Sequence, residues 1–538
     1  MQCNRSFVDP SPALSFNPVH TSSARQGSFT LTLLLLLLSA CLLCSTVVKA
    51  EEIPTTTPAI TINPTVGPPT TNMLVSGTGF DPNVAVDIYF DKTDLALATT
   101  NGAGAFGRGS VFGGIALQVP ASALPGTHWI TARERYRIKA AQKPFLVRTD
   151  WAEWHYDPTR TGANPYENVL SPATVGNLNI RRIYPLASNP LPVLVGGVLY
   201  VVGFDYNNGG KDLYALDAGS GDLLWYYNVG GPRSVISAPA VANGVVYVGS
   251  DDGNLYALNA NTGVLLWNYT RGIAGLYSSP AVVNGVMYTT FSQYPRIVGV
   301  LAFNASTGAF LWGWGHGSDG TALADPVVVE GGVVEAIIGP HHECDTYCYF
   351  VLWLDASSGA ERGRYYLSYP EPTGASLAAG YFTFASTLYG PGWQYDTGTI
   401  IASAPVVANG VVYVGSDNTY ALDAGTGTLR WQSTIVGSDY AVANGVLYVS
   451  GGSIFYALDA STGAILWKYT TGSWINSSPV VANGTVYVGS ADGNLYAFGL
   501  PSDQMSKEFK SPARPDPTLL VPNWTLKPST PVTTMPSH

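Results

Sequence analysis

Residues 241–267 read VANGVVYVGSDDGNLYALNANTGVLLW. Asn243-Gly244 is the strongest two-residue hairpin signal here, because a type I′ turn needs positive φ at both central positions. A β-branched and aromatic run follows, Val245 to Ser250, then a second turn, Asp251-Asp252-Gly253-Asn254, and a third run, Leu255 to Asn259. Asn261-Thr262-Gly263 turns the chain into Val264-Leu265-Leu266-Trp267. With Ala238 to Ala242 in front, the spacing predicts a four-stranded antiparallel meander. So small a sheet leaves both faces uncovered and needs copies of itself on either side.

The copies are in the chain. Aligned on the closing tryptophan they end at Trp225, Trp267, Trp312, Trp431 and Trp467, with degenerate versions ending at Gly363 and near Leu500. Their third strands read LYALDA, LYALNA, VLAFNA, VLWLDA, TYALDA, FYALDA and LYAFGL, beginning at Leu213, Leu255, Val300, Val351, Thr419, Phe455 and Leu495. Seven four-stranded units at this period predict a seven-bladed β-propeller. An eighth blade could lie in 364–400, although no Asn-Gly or Thr-Gly-x-x-x-Trp pattern occurs there.

The recurring residues have mechanical reasons. Asp217, Asn259, Asn304, Asp355, Asp423 and Asp459 each stand four residues before a glycine, where a short polar side chain bonds the turn backbone and glycine takes the left-handed position. The small Ala two places earlier lets a neighbouring blade approach, with a Trp ring across the gap. This Ala-x-Asp-x-x-x-Gly-x-x-x-Trp pattern is intact at Ala215–Trp225, Ala421–Trp431 and Ala457–Trp467, and has Asn for Asp at Ala257–Trp267 and Ala302–Trp312. It resembles the tryptophan-docking motif of pyrroloquinoline-quinone (PQQ) repeats, over about 190–500. The resemblance implies the propeller fold. Its family includes quinoprotein alcohol dehydrogenases and non-enzymatic propellers, among them the outer-membrane assembly lipoprotein.

Outward from the repeats, residues 1–50 read as targeting sequence. Arg25 precedes an apolar run, Phe29–Val48, and Val48-Lys49-Ala50 suits signal-peptidase cleavage. Leu38-Ser39-Ala40-Cys41 also fits a lipobox, which would make Cys41 a lipid tether, and the 20-residue run could remain as an uncleaved anchor. Each reading puts the folded part outside the cytoplasm. Residues 51–59 are a Thr/Pro linker, and 60–148 predict a small β-sandwich of strand-length runs about ten residues apart. Within it, GTGFDPNVAVDIYFD and LPGTHWITA resemble immunoglobulin-like IPT/TIG modules, which implies a spacer or adhesive unit. Residues 149–500 hold the propeller, opening with an irregular segment rich in Trp, Tyr, Asn and Pro. Leu178 to Tyr184 is expected to supply the fourth strand that the last unit lacks, beside Leu495–Phe498. The Pro-rich 501–538 predicts a disordered tail. A net charge of −10 disfavours a nucleic-acid partner.

Candidate chemistry gathers in the irregular fourth unit. Cys344 and Cys348, the only cysteines after residue 50, read as a disulfide staple; the alternative is a metal site with His341, His342 and Glu343. The insertion 365–399 is aromatic, and Tyr381, Phe382, Tyr389, Trp393 and Tyr395 are a candidate binding surface for a sugar or quinone; the alternative is that they pack on a neighbouring blade. The dehydrogenases of the resembled family use a vicinal Cys pair, a calcium held by Glu, Asn and Asp, and an Asp base. This sequence has no Cys-Cys dipeptide, and a His base could be sought only in His316 or His341. The expectation is therefore an exported, non-catalytic propeller that binds protein or polysaccharide, with no catalytic, cofactor or metal residues assigned. The alternative is a calcium- and PQQ-dependent dehydrogenase of alcohols or sugars.

Overall fold

The computed structural model describes residues 57–107, 113–186, 188–205, 210–228, 237–250, 252–270, 278–293, 297–317, 321–322, 326–329, 331–341, 348–368, 375–501 and 513–520. The targeting segment, Cys344 and most of the tail lie outside them.

Residues 59–147 form two sheets around one core. Ala59–Asn63, Asn72–Thr78 and Ile115–Gln118 make the smaller sheet, and Val66–Gly67, Ala140–Val147, Gly126–Glu134, Ala85–Phe90 and Thr93–Thr99 the larger. Alternation does the work, since the inward residues Val75, Val86, Ile88, Ile130, Ala132 and Phe145 are fully buried together.

Among the described residues, eight propeller sheets of four principal strands follow, where the repeat pattern predicts seven. They span 188–227, 240–270, 281–317, 321–368, 375–396, 406–433 and 439–470, and the eighth joins 480–499 to Asn179–Pro185. They are called blades 1 to 8. Consecutive blades share buried apolar clusters all the way round, and one cluster joins blades 7, 8 and 1, so the ring closes. Blade 8 is completed as expected: Asn179–Pro185 runs antiparallel to Asn494–Gly499, with Ile180 opposite Phe498 and Tyr184 opposite Leu495.

The extra blade is 5, and its turns explain why the repeat pattern misses it. Ala379-Gly380 replaces Asn-Gly, with Ala379 itself at φ 47°, and Pro391-Gly392 leads straight into Trp393 without the Asp-x-x-x-Gly turn.

Docking follows one rule. The indole N–H of four closing tryptophans donates to the carbonyl just after the next blade's Asp or Asn: Trp225 to Ala260 (2.9 Å), Trp267 to Ala305 (3.1 Å), Trp312 to Ala356 (2.9 Å) and Trp431 to Ala460 (3.1 Å). A second-strand tyrosine of the same blade shares that oxygen, using its other lone pair: Tyr200, Tyr247, Tyr288 and Tyr413. The ring's seat is the motif glycine, not the alanine. A Cβ on Gly263, at φ 69°, would stand 2.7 Å from the Trp225 ring. The alanine instead faces the tryptophan of its own sheet, Ala257 opposite Trp267.

Candidate functional site

The irregular segment 149–167 does not merely bridge two domains. It makes one circuit of the ring and bonds the innermost strand, or the turn that ends it, in every blade. Trp151 exchanges both backbone bonds with Leu194 of blade 1, and Ala152 O accepts from Val241 N of blade 2 (2.9 Å). The Glu153 carboxylate accepts from Val282 N of blade 3 (3.1 Å). Pro158, Thr159, Thr161 and Gly162 then offer carbonyls to the amides of Val328, Ala379, Val407 and Val442, in blades 4 to 7. Asn164 donates its amide to Val481 O (2.8 Å), and Glu167 accepts from Gly484 N (3.0 Å), both in blade 8. The contacts lie beside the hairpin turns that end the inner strands, so the segment is a floor across one end of the ring's centre.

Charge is buried in this floor. Arg160, fully buried, donates to the carbonyls of Trp154 (2.7 Å), Ser279 (2.8 Å) and Pro280 (3.1 Å), and its guanidinium lies over the Trp154 ring and 4.0 Å from Glu153. Burial pushes Glu153 up to about 7, against the pull of Arg160. Burial, helped by Arg160, pushes His155 down to about 3, so its imidazole is neutral. His155 Nε2 meets Ser478 Oγ (3.1 Å), which donates to Asp439 (2.8 Å); burial raises Asp439 to about 6. His155, Tyr156 and Arg160 hold φ of 55°, 80° and 57°, strain that persists only where surroundings over-determine it.

The arrangement has the residue types of acid–base chemistry, and the space beside His155 is small. The space bounded by Trp151, Trp154, His155, Leu191, Ser477 and Ser478 is about 10 Å³, no more than one water's worth. A larger cleft of about 450 Å³ opens at the floor between the inner hairpins of blades 6 and 7. Its carboxylates are engaged: Asp157 accepts from the amides and hydroxyls of Thr159 and Thr161, and Glu167 from Val169 N, Leu170 N, Gly484 N and Thr149.

No three His, Cys, Asp or Glu side chains converge among the described residues. The buried carboxylates each accept from a backbone or side-chain donor, Glu153 from Val282 N, Glu167 from Gly484 N and Asp439 from Ser478. His316 and His341 stand on strands of blades 3 and 4. Cys348 opens a strand of blade 4, but its pairing with Cys344 falls outside the described residues.

The aromatic insertion is corrected. Trp393 donates to Ala424 O (3.0 Å) and Tyr381 shares that oxygen (3.0 Å), the docking pair of blades 1, 2, 3 and 6. A Cβ on Gly427 would stand 2.5 Å from the Trp393 ring. Phe382 and Tyr389 stack at 4.6 Å beside Tyr365 of blade 4, and Tyr395 packs against Tyr420 of blade 6. These five residues hold blade 5 in the ring instead of forming a separate platform. Asp439 lies on the inner strand of blade 7, and the floor residues Glu153, His155 and Arg160 carry no repeat signal. Their one mark in the sequence is an Arg, a Glu and a His among Trp, Asn and Pro in a segment without period.

A quinohaemoprotein alcohol dehydrogenase from Pseudomonas putida is similar in fold, with TM-score 0.52 and 15% identity over 68% of this chain and 82% of that one. BamB from Moraxella catarrhalis aligns at TM-score 0.47 and 14% identity, over 60% of this chain and all of that one. No curated protein matches the chain. The family described as outer membrane protein assembly factor BamB matches residues 153–378 and 415–500, starting inside the floor segment and taking in most of the ring. Matched over more than half its length, the chain belongs to that family.

Proposed function

We propose that this protein is an exported, non-catalytic propeller that binds or scaffolds at the cell surface or envelope, with the two-sheet unit, immunoglobulin-like in pattern, as its stalk. The observation that carries the reading is the floor: segment 149–167 engages all eight blades, and its buried charges serve the ring itself. Export rests on the apolar run at 29–48.

A protein ligand is favoured over a polysaccharide by the outermost strands of blades 1 to 3. Leu223, Leu224 and Tyr226, then Val264, Leu265 and Leu266, then Phe310 and Leu311 are all exposed there. Apolar side chains exposed on three successive blades suit protein contact better than sugar binding. The residue before the docking tryptophan is Leu224, Leu266 and Leu311 in these blades. In blade 6 the same position is Arg430, paired with Asp423, and in blade 7 it is Leu466, packed against the protein's own buried core.

The test is reconstitution of the secreted protein with PQQ and calcium, followed by absorbance and by dye reduction with alcohols and sugars. Neither bound quinone nor turnover is expected. Stoichiometric quinone with substrate-dependent dye reduction would establish the dehydrogenase instead.

A further inference from the structure

The three most exposed large apolar side chains of the described residues stand at one end of the sandwich: Ile138 (88% exposed), Tyr136 (76%) and Leu519 (76%). Tyr136 and Ile138 tip the hairpin between Gly126–Glu134 and Ala140–Val147. Leu519 is carried there by the tail, which is ordered over 513–520 where the sequence predicts disorder. Arg514 lies over Trp129 (5.0 Å), Pro515 O accepts from Gln142 (2.8 Å), and Leu520 O accepts from Arg133 (2.7 Å).

The tip interleaves these apolar residues with cations. Residues 133–139 read RERYRIK, four bases to one acid, in a chain with 26 bases and 36 acids. The acids beneath it are turned inward: Asp87, buried, holds Arg135, and Glu134, buried, accepts from Asp81 N. Asp81 is shared by Arg137 and Lys139. Arg137 remains half-exposed. The chain also enters the sandwich at this end, since Ala59 pairs with Thr78, three residues before Asp81. The apolar run 29–48 ends eleven residues before Ala59, and eleven extended residues reach about 40 Å at most.

We propose that this end of the sandwich is a contact site for an anionic lipid surface. Tyr136, Ile138 and Leu519 enter the headgroup layer while Arg137 and Lys139 meet phosphates, the division of labour of interfacial elements. Apolar side chains this exposed at a hairpin tip fit a bilayer better than an acidic polypeptide.

The test is hydrogen exchange of the full chain with vesicles of phosphatidylcholine alone, or with three parts in ten of phosphatidylglycerol. Any tethering by the N-terminal segment is common to both vesicles and to all variants. Exchange across 133–141 is expected to slow by roughly fivefold or more on the anionic vesicles only. The effect should fade as salt is raised, and should be lost in Tyr136→Ser/Ile138→Ser with the blade strands unchanged. Equal slowing on both vesicles, or persistence in the double variant, overturns the proposal. Slowing by polyglutamate but not by vesicles replaces it with an acidic polypeptide partner.

Discussion

At the residue scale the ring obeys a small-opposite-large rule across its two outer strands. Ala215, Ala257, Ala302, Ala421 and Ala457 each face a tryptophan in register. In blade 4 the pair is reversed, with Trp353 facing Gly363, and in blade 8 Ala497 faces Arg182, which lies on the Gly221 seat of blade 1. Volume is conserved while the chemistry changes. Blade 4 has no closing tryptophan, and blade 5 has no Asp-x-x-x-Gly seat that would receive one, so the two departures compensate each other. Trp393 belongs with the docking rings. Trp393→Ala and Trp267→Ala should therefore each destabilise by about 3–5 kcal/mol, read as paired melting curves. A small loss at Trp393 alone would return it to the surface. Glu153 gives a second prediction. It keeps its proton to about 7 in the folded protein, against 4.5 ordinarily, so the folded state holds more protons in that window. Stability therefore falls as pH rises through it, by up to about 1.4 kcal/mol per unit. His155 acts oppositely, neutral down to about 3 against 6.5, and costs stability as pH falls below 6.5. Glu153→Gln removes the first effect and keeps the second. The variant should gain on the parent between pH 5 and 7; parallel profiles would show that Glu153 does not titrate there.

At the element scale, the regular blades were readable because each states its turns twice, once as Asn-Gly or Gly-Gly and once as Asp-x-x-x-Gly or Asn-x-x-x-Gly. The closing strand was readable too, because an open blade at one end and a spare strand at the other can satisfy only each other. Blade 5 was not, because its turns use Ala379 and Ala385 at positive φ, positions held by bonds to distant residues, Ala379 N to Thr159 O and Ile401 N to Ala385 O. The floor was not readable for a different reason. Its residues bond carbonyls and amides of distant blades, and such contacts leave no period in the sequence. Arg160 is its keystone, with donors on three carbonyls and charge beside Glu153. Arg160→Ala should cost about 3–5 kcal/mol, because it strands a buried carboxylate as well as those carbonyls. Adding Glu153→Gln should restore part of that loss in urea unfolding. Additive losses would mean that the two side chains act independently.

At the scale of the whole molecule, a ring of repeats is a nearest-neighbour chain unless something joins all its members. Two devices do so here. Asn179–Pro185 closes blade 8, and the carbonyl of Leu178, just before it, accepts the Trp467 indole N–H (3.0 Å) that has no seat on blade 8 itself. The floor then ties each blade to one continuous segment. A chain beginning at 149 keeps both devices and should unfold in one sharp transition. A chain beginning at 186 loses both: it exposes the Asn494–Gly499 edge, leaves Trp467 without its acceptor, and frees amides of the inner strands or their turns in all eight blades. Its blades should then unfold in separate steps, with a lower urea m-value for each, because less surface is exposed per step. Fluorescence and circular dichroism would cease to coincide in the shorter chain while coinciding in the longer one. If both chains gave the same single transition and slope, inter-blade packing alone would account for the ring's cooperativity. The floor would then be a plug, not a tie.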